Sequence, residues 1–461
     1  MILKLKGNYG FWLRHKFLIQ KQFLFIFSIL IIVIFLSCDD SYNSNSDEID
    51  NNLKNFYWTL QAGTSSNDIV NDIGLDQSGN IYLTGYTQGS LSSTANNGGK
   101  DVFLIKYDTN GSLVWKNQIG TSSNDEGSGL VLDNDSNIIV VGSTYSGLDG
   151  NSHSGSSDLF VLKYNENGTK LWSQQLGTNK IDYATDVDIN SSGNSIIIGA
   201  TNRGLDSNSN AGDNKSDYFI SVYNKNGAKQ STNQYGVLKN DIGYGIALDN
   251  AGNTYITGSS ENSIDGETHS GKKDIFLIKF DSSINKEWSK LIGTSNDDEG
   301  FCLDTDSLGN VYVTGYTTGD FDGNTRFGSG NDQDVFLIKY DENGNKLWSR
   351  QFGTQSEDKA FGIIIDSNDN VYVTGKTCSG LNSNKHLGEC DYFLIKYNSS
   401  GSNQWSQQGG SSLLDQALSI SSDSSNNIYI AGFTYGSLDG KSNLGGIDYF
   451  VVKFDQNGFK Q

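Results

Sequence analysis

Residues 115–177 read WKNQIGTSSNDEGSGLVLDNDSNIIVVGSTYSGLDGNSHSGSSDLFVLKYNENGTKLWSQQLG, and this stretch decides the fold. It contains four short apolar runs: GLVLD (129–133), NIIVVGST (137–144), DLFVLKY (158–164) and TKLWSQQLG (169–177). Runs of this length, rich in Val, Ile, Leu, Tyr, Phe and Trp, suit half-buried or fully buried strands. We name them A, B, C and D. D-x-x-G-N or a variant of it separates A from B, and a turn such as NENG separates C from D. Gly and Asn tolerate the positive φ that tight hairpins need, so the four runs read as one antiparallel meander.

The unit recurs. Trp58, Trp115, Trp172, Trp288, Trp348 and Trp405 are near-evenly spaced, with Ser231 in the one missing place. Successive intervals are 57, 57, 59, 57, 60 and 57 residues. A Gly follows five residues after each position, from Gly63 to Gly410, and a second marks strand B, from Gly85 to Gly432. Seven copies of a four-stranded unit predict an all-β, seven-bladed β-propeller with four antiparallel strands per blade.

The ends of the repeat region predict how the ring closes. Trp58 belongs to a D strand with no A, B or C before it, whereas the last copy, opening its C strand at Asp448, ends without a D. The N-terminal strand is therefore expected to complete the last blade beside Asp448–Phe454, which removes two exposed strand edges.

The run G-T-x-x-x-D-E-G, L-D-x-x-G-N-x-Y-x-T-G and D-x-F-L-I-K-Y-D-x-N-G-x-x-x-W resembles the bacterial SBBP (seven-bladed β-propeller) repeat lipoprotein family over residues 58–461. The resemblance implies the propeller and an extracytoplasmic setting, with no shared reaction.

Residues 1–22 carry Lys4, Lys6, Arg14, Lys16 and Lys21. An apolar run from Phe23 to Leu36 follows, then Ser37 and Cys38. A basic region, a short apolar core and a small residue before the break read as a secretory signal, and the run is short for a spanning helix. Phe35-Leu36-Ser37-Cys38 resembles a relaxed bacterial lipobox, which makes Cys38 the candidate lipid attachment site. The expected organisation is a lipoprotein-type signal peptide at 1–37, an acidic flexible tether at 38–55 and the propeller at 56–461. The expected location is the bacterial cell envelope, lipid-anchored, on a periplasmic or cell-surface face.

The chain has 54 Gly, no Pro and a net charge of −20, which falls to about −25 once the five basic residues of 1–37 are set aside. So acidic a surface repels phosphate backbones and argues against nucleic-acid binding. A monomeric propeller is expected, bound to the membrane through its lipid.

Because strands alternate in direction, the D–A and B–C loops share one face. Every length change among the copies falls between the strand-B Gly and the strand-C Asp, in the B–C stretch. Variable loops on a constant scaffold are where recognition concentrates. Ten residues after each Trp position stands an Asp: Asp68, Asp125, Asp182, Asp241, Asp298, Asp358 and Asp415. These seven carboxylates have two readings: a ring that concentrates a cation at the channel mouth, or acceptors for backbone N–H groups in their own turns. Recurrence in every copy favours the second. The segments LDGN (148–151), IDGE (264–267), FDGN (321–324) and LDGK (438–441) offer oxygen ligands for Ca²⁺ without the full EF-hand spacing.

His153, His269 and His386 are dispersed over alternate blades. Cys378 and Cys390 bracket one B–C loop as a possible disulfide, and Cys302 falls on an inner strand.

No cofactor and no catalytic set is read from the residues. The turn YDENGNKLW (340–348) resembles a sialidase Asp box with each spacing one residue longer. The arginine triad that such an enzyme needs has no source, because Arg203, Arg326 and Arg350 are scattered. The G-x-x-x-W-x-x-x-x-G portion is similar to quinoprotein-type propeller repeats. The expectation is a binding or scaffold protein that engages a protein or glycan through the D–A/B–C face. The alternative is an envelope hydrolase or lyase that uses an acidic channel mouth.

Overall fold

The computed structural model describes residues 58–91, 95–212, 214–330 and 332–461; the expected signal segment, Cys38 and the expected tether lie outside the described residues. Among the described residues the strands form seven four-stranded antiparallel sheets, the blades of a propeller. Blade 1 is Asp68–Leu75, Ile81–Thr87, Asp101–Tyr107 and Leu113–Ile119, which are its strands A to D. The inner A strands of blades 2 to 7 are Asp125–Leu132, Asp182–Ile189, Asp241–Leu248, Asp298–Thr305, Asp358–Ile365 and Asp415–Ser422. Each begins earlier than the apolar run suggests. In blade 2, Asp125 already pairs with Thr144, although EGSG carries little apolar signal.

The core lies between blades. In strand C of blade 1, Val102 and Leu104 pack with Leu130 and Phe160 of blade 2. The alternate residues Phe103 and Ile105 pack with Tyr429 and Val451 of blade 7. Both faces of the strand are buried, so it reads DVFLIKY with no polar alternation in its centre. Each such side chain contributes about 1.5–3 kcal/mol through burial. Strand D is the outer strand, and its first residues, such as Lys346 and Leu347, face solvent.

The ring closes as the chain ends predict. Thr59–Ala62 pairs antiparallel with strand C of blade 7, Thr59 opposite Val452 and Ala62 opposite Tyr449. Trp58 N donates to the Gln461 carbonyl, and Gln461 N donates to Lys453 O at 3.0 Å. The two ends of the repeat region are thus hydrogen-bonded to one another.

Neighbouring blades are latched at the rim. The Trp115 indole N–H donates to the Glu166 carbonyl in the next blade's C–D turn at 3.0 Å. A Cβ on Gly168 of that turn would sit 2.9 Å from the Trp115 ring, so a side chain there collides with the indole. The same ring-on-glycine contact joins Trp172 to Gly227, Trp288 to Gly344, Trp348 to Gly401, Trp405 to Gly458 and Trp58 to Gly111, with the indole N–H bond made by all of these but Trp58. The exception is paired as well. Ser231 stands at the Trp position of blade 3, and the matching turn position in blade 4 is Ile284, which keeps a φ of 63°.

Candidate functional site

Every A strand carries a β-bulge at the same place. The register with strand B slips between Val70 and Asp72, and equivalently across Ser128, Thr185, Tyr244, Phe301, Phe361 and Leu418. The extra residue has no partner on strand B, and a bulge re-aims its side chain. All seven bulge residues, Asn71 included, line one cavity of about 580 Å³ enclosed by the inner strands, which is the central channel. The bulge also accounts for the recurring strand-B glycine. A Cβ at Gly85 would lie 1.9 Å from the Ile69 carbonyl, and at Gly315 2.0 Å from the Glu299 carbonyl. Only a residue without a side chain lets the bulged strand cross this closely.

The bulge residues differ from blade to blade, which divides the channel wall. Blades 1 to 3 contribute Asn71, Ser128 and Thr185; blades 4 to 7 contribute Tyr244, Phe301, Phe361 and Leu418. Phe301 and Phe361 stack at 5.5 Å, 7° from parallel, and Tyr244 meets Phe301 edge-on at 5.2 Å. Such arrangements are favourable for aromatic quadrupoles. Tyr244 Oη and Tyr316 Oη donate to Glu299 at 2.8 and 2.6 Å, and Lys273 bonds the same carboxylate at 2.8 Å. Burial raises the Glu299 pKa, but these donors outweigh it and hold Glu299 below its ordinary value. Across the channel, Glu126 pairs with Lys100 at 2.8 Å.

The inner strands carry four further carboxylates that the repeat comparison does not single out, of which Asp72 and Asp186 line the channel cavity. Asp72 accepts Leu130 N of blade 2 at 2.7 Å, and Asp186 accepts Ile246 N of blade 4 at 3.0 Å. Asp188 accepts Leu248 N of blade 4 at 2.8 Å, and Asp304 accepts Ile365 N of blade 6 at 2.7 Å. Each also accepts the N–H of its own next residue, so it staples an odd-numbered blade to its neighbour. Burial pushes Asp72 and Asp188 up to about 6 and Asp304 to about 7. Burial and then the nearby Asp72 hold Asp186 well above the carboxylate range.

The seven recurrent aspartates occupy a different place. Asp68, Asp125, Asp182, Asp241, Asp298, Asp358 and Asp415 are fully buried first residues of the A strands, and none lines the channel cavity. Asp125 accepts Thr121 N at 2.6 Å and Thr121 Oγ1 at 2.9 Å, and Thr144 Oγ1 donates to its other oxygen. The turn T-x-x-x-D is tied by its own carboxylate, and six of the seven turns repeat the Thr or Ser donor to it. Burial raises these aspartates, with Asp241, Asp358 and Asp415 reaching about 6. Among the described residues no group of three or more His, Cys, Asp or Glu is placed to hold a metal ion.

The B–C loops hold their carboxylates against lysines of strand D. Asp149 pairs with Lys170, Asp265 with Lys286 at 2.7 Å and Asp322 with Lys346, while Asp439 pairs with Lys460, which follows the last C–D turn. In blade 2 the loop anchors itself through buried Leu148. His153 folds back 3.3 Å from Asp158. Cys378 and Cys390 are joined in a disulfide across the B–C loop of blade 6, while Cys302 is a free thiol on the channel wall. Arg350 lies on outer strand D, bonded to Gly401 O at 2.7 Å, whereas Arg203 and Arg326 stay in B–C loops, so the three guanidinium groups do not converge.

Residues 58–91, 232–265, 287–322 and 347–382 match the family described as the SBBP beta-propeller repeat. The chain carries SBBP repeats. This SBBP-repeat chain is 24% identical over 406 residues to an uncharacterized WD repeat-containing protein of Acanthamoeba polyphaga mimivirus, covering 74% of this chain and 27% of that one. It is 26% identical over 141 residues to the regulatory protein FlaEY of Caulobacter vibrioides, covering 28% of this chain and 15% of that one. The chain thus spans about a quarter or less of the length of these curated relatives. Among solved structures, the WD40 domain of Neurospora crassa Pan2 superposes with a TM-score of 0.47 at 10% identity, covering 85% of this chain and 90% of that one. An ulvan lyase superposes at 0.49 and 11% identity, covering 85% and 95%. Nothing about ligand or activity passes from these structures to the SBBP-repeat chain.

Proposed function

We propose that this propeller is an exported binding or scaffold protein, anchored to the bacterial envelope by a lipid on Cys38, that engages its partner through the D–A/B–C face. The observation that carries the reading is the divided channel wall. Residues that build blades recur seven times, whereas the bulge residues change from Asn71, Ser128 and Thr185 to Tyr244, Phe301 and Phe361. A wall needed only for closure has no reason to be polar on one side and aromatic on the other. The same face carries the B–C loops, with exposed Tyr145 and Tyr435 at their starts. The basic, apolar and Ser37-Cys38 sequence supports export and lipidation, and the acidic stretch after it suits a tether.

Two measurements test this. Palmitate labelling is expected for the wild type and lost in Cys38→Ala; equal labelling of both removes the anchor. Partner capture by the full chain in detergent is expected to fall in Phe361→Ser and to persist in Leu347→Ser on the outer strand. Equal capture by both variants removes the face.

A further inference from the structure

We propose that the channel mouth is a carbohydrate site, which takes an uncharged oligosaccharide with one sugar ring laid on the Phe301–Phe361 wall and its hydroxyls turned to the opposite wall. This rests on the reading of the D–A/B–C face as the binding face, and it specifies the ligand class.

A sugar ring has two chemically different sides, an array of C–H bonds and a rim of hydroxyls, so a site for it needs an apolar aromatic wall facing a polar one. The channel supplies both. Tyr244, Phe301, Phe361 and Leu418 form a continuous apolar arc. The rest of the lining carries Ser128, Ser143 and Tyr183, whose hydroxyls bond to none of the described residues. A cavity of about 580 Å³ lined by aromatics with a few convergent polar groups has the build of a small-molecule site.

Charge narrows the class. Glu126, Asp72 and Asp186 line the cavity, and the lysines at its margin, Lys100 and Lys273, are tied to Glu126 and Glu299. Both lysines are thus already engaged, so a sulfated or uronate-rich chain finds no free cation among the described lining residues. A basic peptide is disfavoured for a different reason. Asp72 and Asp186 each already accept two backbone N–H groups, and Glu126 is paired with Lys100, so no unengaged carboxylate is presented to an ammonium or guanidinium. Protonated or not, Asp72 and Asp186 remain acceptors for a sugar hydroxyl.

The test is a glycan array probed with the full chain in detergent micelles, spanning neutral gluco-, manno- and N-acetylglucosamine-type oligosaccharides, uronate and sulfated chains, with Lys- and Arg-rich peptides alongside. Binding to at least one neutral class is expected. Phe301→Leu, which keeps an apolar side chain but removes the ring, should weaken it at least tenfold with the melting temperature held within a few degrees. Ser128→Ala should weaken it several-fold. Absence of binding to every neutral glycan, or binding confined to peptides or acidic chains, overturns the inference. If a protein partner is still captured through the same face, the binding-scaffold reading stands without it; if capture fails as well, both fall.

Discussion

Phe301 and Phe361 stack face to face at 5.5 Å, although they belong to the inner strands of different blades and each is an extra residue in its own ladder. The contact exists because the same bulge is built into every A strand, so equivalent residues of adjacent blades are brought to one channel wall. The fold thus offers seven positions whose side chains are free of ladder duty and can be chosen for a ligand.

The bulge makes a sharp demand on strand B. Gly315→Ala should cost more than about 3 kcal/mol, because its Cβ would press against the Glu299 carbonyl, a backbone atom with no room to move. Gly150→Ala, where nothing lies within 4 Å but φ is +79°, should cost only about 1 kcal/mol. Denaturant unfolding of the two variants checks this; equal losses would detach the glycine from the bulge.

Closure makes a second demand. Removing residues 55–63 deprives blade 7 of its D strand and exposes the edge of Asp448–Phe454. The loss should reach several kcal/mol, well beyond the roughly 0.5 kcal/mol of an ordinary surface change, with aggregation of the truncated protein. An unchanged melting temperature would refute the closure.

The Trp latch predicts a coupling. Ser231→Trp alone should destabilise, since its ring meets the Ile284 position instead of a glycine. With Ile284→Gly, which also releases a β-branched residue from positive φ, the pair should recover the latch present at the other six junctions. A double-mutant cycle should give a favourable coupling of about 1 kcal/mol or more; additive effects would show that the indole and the turn do not meet.

The repeat, the strands and the closure were legible because they rest on residues that recur: Trp against a turn glycine, a strand-B glycine under a bulge, and a turn tied by its aspartate. The bulge was not legible. It is a register slip between two strands, and the residue it frees varies, so Asn71, Tyr244 and Leu418 look like noise when the copies are compared. That variation within an otherwise regular strand was the one available signal. Asp186 and Asp304 were hidden similarly: apart from Asp72 and Asp188, the other copies carry Gly, Cys or Ser at the first position and Gly, Val, Ala, Ile or Ser at the second.

Stability should depend on pH in an uncommon direction. Asp72, Asp188, Asp241, Asp358 and Asp415, near 6, and Asp304, near 7, bind protons more tightly folded than unfolded. Folding therefore takes up protons between about pH 4 and 7, and stability falls as pH rises through that window. The melting temperature at pH 5 should exceed that at pH 8; a flat or rising profile would mean that these carboxylates are not held as described.

The most direct test of a binding face is site-specific photo-crosslinking of the full chain in its native envelope. A photoreactive residue is placed at Tyr145 or Tyr435 on the D–A/B–C face, or at Leu171 or Leu347 on outer strands. Solvent exposures of 45% for each tyrosine and 50% for each leucine make the comparison even. Specific adducts at positions 145 and 435, with none at 171 and 347, are the predicted result. Adducts confined to the outer strands would contradict the assignment of the binding face.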